Sequence, residues 1–102
     1  MKIWLDDVRP APEGYFYCRS INDVKIAIFF YECNLSDETI ILDLDYDLGD
    51  YHKDGGDVIK LLEWLEKEEI VDTGYSFHFH TVDPIGAENM RRIIQKNGWR
   101  EI

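Results

Sequence analysis

Ile40-Ile41-Leu42-Asp43-Leu44-Asp45-Tyr46-Asp47 decides the fold of this chain. An apolar run passes straight into alternating acids, as a buried parallel strand does where it leaves its sheet. Two other stretches have the same form. Lys2-Ile3-Trp4-Leu5 runs into Asp6-Asp7, and Phe77-His78-Phe79-His80 runs into Thr81-Val82-Asp83. Chemistry in an open parallel sheet gathers outside the carboxyl ends of the strands. If the three runs are neighbours, their charged ends share one crevice, laid out as a divalent-metal or phosphoryl site.

Working outward, strands are expected at 2–6, 15–18, 40–45 and 77–82. Arg9-Pro10-Ala11-Pro12-Glu13-Gly14 is a turn-rich connector, because two prolines fix backbone angles and remove donors. Ser20 or Asn22 caps a helix through about Cys33, with Val24, Ala27, Ile28 and Tyr31 on its apolar face. A polar loop from Asp47 through Gly56 precedes a second helix from Asp57 to about Glu69, built on Val58, Leu61, Leu62 and Leu65. Thr73-Gly74 breaks it. Asp83-Pro84 opens a third helix that buries Ala87, Met90, Ile93 and Ile94 and ends at Gly98. Strands alternating with helices imply a parallel α/β sheet.

The 102 residues fit one domain, 1–102, with one modest core. A hydrophobic content of 45% argues for a folded globule rather than an acidic tail. With 21 acids against 11 bases, the net charge of −10 disfavours broad attraction to nucleic-acid backbones, though not one phosphate held locally by a metal. The amino terminus turns acidic too soon for a signal peptide, and Val24 to Tyr31 is too short to span a bilayer. Cys18 and Cys33 lack metal-ligand spacing and read as reduced core thiols of a cytoplasmic protein.

Asp6, Asp7 and Asp45 are the candidate metal ligands, since Mg²⁺ is usually held by one or two carboxylates plus water and phosphate. Adjacent acids at a strand end diverge, so Asp6 and Asp7 reach one ion only if the chain curls there. Asp43 lies deeper and reads as structural; Asp47 reads as a turn acid and Asp83 as a helix cap. His78 and His80 share a strand face. His78 suits a hydrogen-bonded core histidine, whereas His80, at the carboxyl end, suits a general acid or base. Arg9 and Lys53 are the bases nearest the acids and can steady a phosphate, Arg with the better planar fork. Trp4, Trp64, Phe29 and Phe30 read as packing residues rather than a stacking platform. Tyr46 can stack on a base or hydrogen-bond a substrate.

These residues carry a resemblance. Asp6-Asp7 after a first strand, Asp45 after a third and Thr81 after a fourth resemble response-regulator receiver domains, in which the acidic pair holds Mg²⁺, the aspartate accepts phosphate and the hydroxyl senses it. More specifically, Ile3 to Pro12, Leu44-Asp45-Tyr46-Asp47-Leu48-Gly49 and His78 to Gly86 resemble the cyclic-phosphate-processing receiver family. The resemblance implies a small three-layer, flavodoxin-like parallel sheet of about four strands, lacking the receiver's first helix, its fifth strand with the invariant lysine, and its last helix. That family usually has His at Tyr46, Ser at Thr81 and Asn at Asp83.

The implied activity is a metal-assisted phosphoesterase opening 2′,3′-cyclic phosphate ends of RNA or nucleotides. Asp6, Asp7 and Asp45 hold Mg²⁺ or Mn²⁺, and His80 and Asp45 with Arg9 form the catalytic set. Arg9, Tyr46, Thr81 and Lys53 bind substrate. The alternative is a catalytically degenerate receiver-like module that binds a protein or nucleotide without turnover. Its unfinished sheet edges would offer a place for self-association or a protein partner. No membrane partner is expected.

Overall fold

A computed structural model describes residues 1–34, 39–72 and 74–102. The strands are β1 (Lys2–Leu5), β2 (Phe16–Cys18), β3 (Ile40–Leu44) and β4 (Tyr75–Phe79), all parallel, in the order β2-β1-β3-β4. The helices are α1 (Ile21–Asn34), α2 (Val58–Glu68) and α3 (Pro84–Lys96), with a 3-10 turn at Gly49–Lys53. This is a small receiver-like α/β fold.

β4 begins two residues earlier than the apolar pattern suggested, because Tyr75 and Ser76 are buried and pair with Ile40 and Ile41. It also leaves the sheet sooner, so His80 lies just past the strand end. The expected break at Thr73-Gly74 falls partly on residue 73, outside the described residues.

Strand alternation sends side chains to two faces. Ile3, Leu5, Ile40, Leu42, Leu44, Tyr75 and Phe77 join Val24, Ile28, Tyr31, Leu61, Leu62, Leu65, Met90 and Ile94 in one core. The connections β2-α1-β3 and β3-α2-β4 both advance across the sheet in the same direction. Right-handed crossovers therefore put α1 and α2 on the same face, and α3 packs against α2. The layer on the opposite face comes from the connector 6–15 rather than from a helix. Trp4 Nε1 donates to the Arg9 carbonyl (3.1 Å), and Tyr15 meets Trp4 edge-on.

Beyond α3 the chain returns to the sheet. Phe77 N donates to the Arg100 carbonyl and Ile102 N to the Phe77 carbonyl, each at 2.8 Å. One parallel bridge, Phe77 to Glu101, thus extends the outer edge of β4, and among the described residues no full fifth strand forms.

The helix caps follow the sequence: Asp57 accepts from Lys60 N, and Asp83 accepts from Ile85 N ahead of Pro84. Ser20 caps α1 by accepting from Asp23 N, and its own hydroxyl donates to Asp54 (2.7 Å), tying the loop after β3 to that helix. Phe29 and Phe30 correct the packing expectation, since both are exposed. Val24, Ala27, Ile28 and Tyr31 use up the packing face of α1, and residues 29 and 30 turn away from it. Cys18 is a free, buried thiol pushed up to about 12 by burial and by Asp23. The side chain of Cys33 lies outside the described residues.

Candidate functional site

Backbone ladders set the site. Asp6 N donates to the Cys18 carbonyl (3.1 Å), Asp45 N to that of Leu5 (3.0 Å), and His80 N to that of Leu44 (3.0 Å). Each residue is thus the first past its own strand, held by the last carbonyl of a neighbour. The three stand side by side at the carboxyl edge, where one ligand atom from each lies within 4.8 Å of the others.

Asp6 makes the curl that the adjacent acids required. Its Oδ1 accepts from the amides of Val8 and Arg9, both at 2.9 Å, which turns the chain and buries the carboxylate completely. The same curl sends Asp7 elsewhere. A Cβ on Gly49 would lie 2.6 Å from Asp7 Oδ2, and Gly49 has a φ of +55°. Glycine there admits both the conformation and the approach of that carboxylate. The structure therefore brings Asp6 and Asp45 together with His80, and does not bring Asp7 into that group.

His80 is held on every side. Its Nε2 faces Asp6 Oδ2 at 3.0 Å, and its Nδ1 faces Asp43 Oδ1 at 2.6 Å. Its ring stacks flat on Trp4, with centroids 3.8 Å apart and planes within 3°. Arg9 Nη1 donates to its carbonyl at 3.1 Å. Both ring contacts are hydrogen bonds at once only in the imidazolium form. His78 Nδ1 reaches the same Asp43 oxygen at 3.0 Å, but its side chain is 47% exposed. It is hydrogen-bonded as expected; it is not a core residue, because its strand face carries no helix.

The carboxylates differ in acidity. Burial opposes ionisation of Asp6, but the Arg9 and Val8 amides and His80 outweigh it, so its pKa falls below the ordinary range. Asp43 is lowered likewise: burial is overcome by His80 and His78. Asp45 is raised, first by burial and then by the charge of Asp6, with the Thr81 hydroxyl and Tyr46 amide opposing. A pair of acids repelling one another beside a histidine is a natural cation site.

Among the other predicted residues, Thr81 is placed against Asp45 and accepts from Asp83 N at 3.2 Å. Tyr46 packs across the start of α3, where a Cβ on Gly86 would lie 2.3 Å from its Cγ. Lys53 is exposed at the end of the 3-10 turn and makes no ion pair among the described residues. Asp47 is the turn acid expected, accepting from Gly49 N. Sequence reasoning missed the roles of Asp43 and Trp4. Their cross-strand pairing is the signal that would have found them, and it needs the register.

Residues 1–96 match the model of the cyclic-phosphate processing receiver domain. The chain belongs to that family. No curated protein and no solved structure matches it significantly. The cyclic-phosphate processing receiver seen here also has no helix long and apolar enough to cross a membrane among its described residues.

Proposed function

We propose that this receiver opens 2′,3′-cyclic phosphates at RNA or nucleotide ends with the help of a divalent cation, inside the cell. The observation that supports it is the convergence of Asp6, Asp45 and His80 at the sheet edge, with Arg9 alongside. Two carboxylates and an imidazole suit Mn²⁺ better than Mg²⁺, which prefers an all-oxygen shell. When bound, such a cation supplies Lewis-acid polarisation of the phosphoryl group.

Asp6 and Asp45 would hold the cation, and burial keeps Asp6 from turning out to solvent. Asp43 fixes the His80 tautomer and Trp4 fixes its plane, which sets Nε2 against Asp6 Oδ2 beside Asp45. From there it protonates the departing ribose oxygen or takes a proton from water. Arg9, already anchored through Nη1, orients the phosphate with its remaining donors. Ligation through Nε2 would exclude proton delivery through the same atom. The cation affinity of His80→Ala therefore separates the two roles.

The deciding assay incubates the protein with 2′,3′-cyclic nucleotides, with Mn²⁺, with Mg²⁺ and with EDTA, beside Asp45→Asn and His80→Ala. Turnover lost in both variants and in EDTA supports the enzyme. Saturable binding without turnover supports instead the degenerate binding module, in which Tyr46 stands where the family usually has a histidine.

A further inference from the structure

The apolar residues left over from the packing face of α1 gather at one edge of the sheet. Ile26, Phe29 and Phe30 are 69%, 72% and 66% exposed, and helical spacing sets them in one stripe. Phe16, on β2, is 56% exposed and lines a groove together with Ile26, Ala27 and Phe30. The register pairs Phe16 with Ile3 and Cys18 with Leu5, so both point to the helical side. At about 150–250 Å² per aromatic, three phenylalanines exposed to this extent leave roughly 300–500 Å² of apolar surface in water, and Ile26 adds to it. A contiguous patch of that size is among the largest that monomers carry and is often functional.

The sheet edge beside this patch is open. β2 ends the sheet, and no strand lies outside it among the described residues. Asp6 N donates to the Cys18 carbonyl, so alternation turns the amide and carbonyl of Tyr17 outward, ready to pair with another strand. At the opposite edge, β4 is already bridged by Glu101. Charge selects the occupant. Residues 16–34 hold Arg19 and Lys25 against Asp23 and Glu32, so this segment is neutral in a chain of −10. The excess acids lie elsewhere, as at Glu63, Glu66 and Glu68 on α2. A basic partner would be drawn to those acids, whereas two acidic copies can approach one another across a neutral, apolar edge.

We propose that this edge is a homodimer interface, in which β2 pairs antiparallel with β2 of a second copy about a two-fold axis at Tyr17. The pairing joins two four-stranded sheets into one and lays the two α1 helices side by side on one face. Tyr17 exchanges both backbone hydrogen bonds with the partner's Tyr17, and Arg19 stands opposite the partner's Tyr15 rather than another arginine. Phe16, Ile26 and Phe30 of both copies close a second apolar core between the helices. A stable interface takes about 800 Å² from each partner; the patch supplies roughly half of that as its apolar centre, and the strand edge and polar rim supply the rest. Because the paired strands run oppositely, the two carboxyl-edge crevices open at opposite ends of the joined sheet and neither blocks the other. The dimer does not depend on the cyclic-phosphate reading.

Sedimentation equilibrium from micromolar to millimolar protein tests it. The parent should show a monomer–dimer equilibrium that tightens severalfold as salt rises, because salt screens the repulsion of two acidic chains and leaves apolar burial intact. Phe16→Glu and Phe30→Glu should each weaken the dimer at least about thirtyfold, since a two-fold axis places each new charge in the interface twice. Val82→Glu, equally exposed but past the opposite edge strand, should leave it unchanged. Tyr17→Cys, made with Cys33→Ser, should form an interchain disulfide under mild oxidation, because a hydrogen-bonded antiparallel pair sets Cα atoms about 5.5 Å apart, within disulfide range; Val82→Cys should not. That cross-link decides the matter if the glutamate variants fail a circular-dichroism check. A chain that stays monomeric throughout overturns the proposal and leaves the patch to a different protein. So does a dimer that survives Phe16→Glu and Phe30→Glu, or one that Tyr17→Cys does not cross-link.

Discussion

Replacing Asp43 with alanine probes the whole arrangement, because one carboxylate oxygen serves two imidazoles. The bond to His80 is short and dry, with side chains 8% and 7% exposed. A charge-assisted hydrogen bond of that kind contributes roughly 1.5–3 kcal/mol. The bond to the half-exposed His78 adds less than about 1 kcal/mol. The sum is about 3 kcal/mol, and for a domain this size each kcal/mol moves the midpoint by about 4–8 °C. Asp43→Ala should therefore lower Tm by on the order of 15 °C and leave the chain folded. Asp43→Asn keeps an acceptor oxygen without the charge and should lose about half as much. Turnover of a cyclic nucleotide should fall about 10–100-fold in Asp43→Ala, mostly in kcat, as when other residues that orient a site are removed. Trp4 emission reports the same event independently, since the His80 ring lies against it. An Asp43→Ala variant melting within about 1 °C of the parent, with unchanged Trp4 emission, would falsify the idea that Asp43 fixes His80.

Asp45→Asn should raise Tm by a few degrees at neutral pH while abolishing turnover, because burial and Asp6 make ionised Asp45 a cost to the folded state; differential scanning calorimetry checks it, and a lower Tm contradicts it. Gly86→Ala normally helps a helix by about 1 kcal/mol. Here the added methyl overlaps Tyr46, so urea titration should show a loss of about 1–3 kcal/mol instead. Acid should unfold the protein in a defined direction. Asp6 and Asp43 both ionise more readily folded than unfolded, so their stabilisation is full above about pH 4 and lost as pH falls through their folded values. Asp43→Asn should flatten that decline, as read from urea midpoints across the pH range; an unchanged slope would show that Asp43 is not the group responsible.

The sheet was legible because its strands are short apolar runs that end in acids, and the helices because their apolar residues recur at helical spacing. Asp6, Asp45 and His80 followed from the rule that strand ends carry chemistry. The turning away of Asp7 did not follow. Sequence neighbours share a loop without sharing a direction, and the Asx-type curl at Asp6 that separates them is a hydrogen-bond choice invisible in composition. Asp43 reads as structural in the sequence because it lies inside a strand. Its position beside Trp4 and His78 is a matter of register, which one chain without its pairing does not disclose. Phe29 and Phe30 misled for the opposite reason: apolar residues were more numerous than one helix face can hold.

The helix-free side of the sheet explains why a carboxylate and two histidines can stand there at all. Had the β1–β2 connection been a helix laid over that face, Asp43 and His78 would be desolvated beneath it, at a cost their mutual hydrogen bonds barely offset. The connector 6–15 instead covers Trp4 at its rim and leaves His78 in water. A polar network can then run from solvent through Asp43 to the buried His80 while the apolar core stays on the other side. The exchange of a helical layer for an extended connector thus loses apolar burial and gains an accessible polar floor at the strand ends. Filling that face with an apolar substitute makes the trade measurable. Asp43→Leu with His78→Val should keep the fold, because β-branched and apolar residues suit a strand, yet leave the His80 ring nitrogens with Asp6 as their one hydrogen-bond partner among those described. If that double variant retained full turnover, the polar floor would have no part in the chemistry.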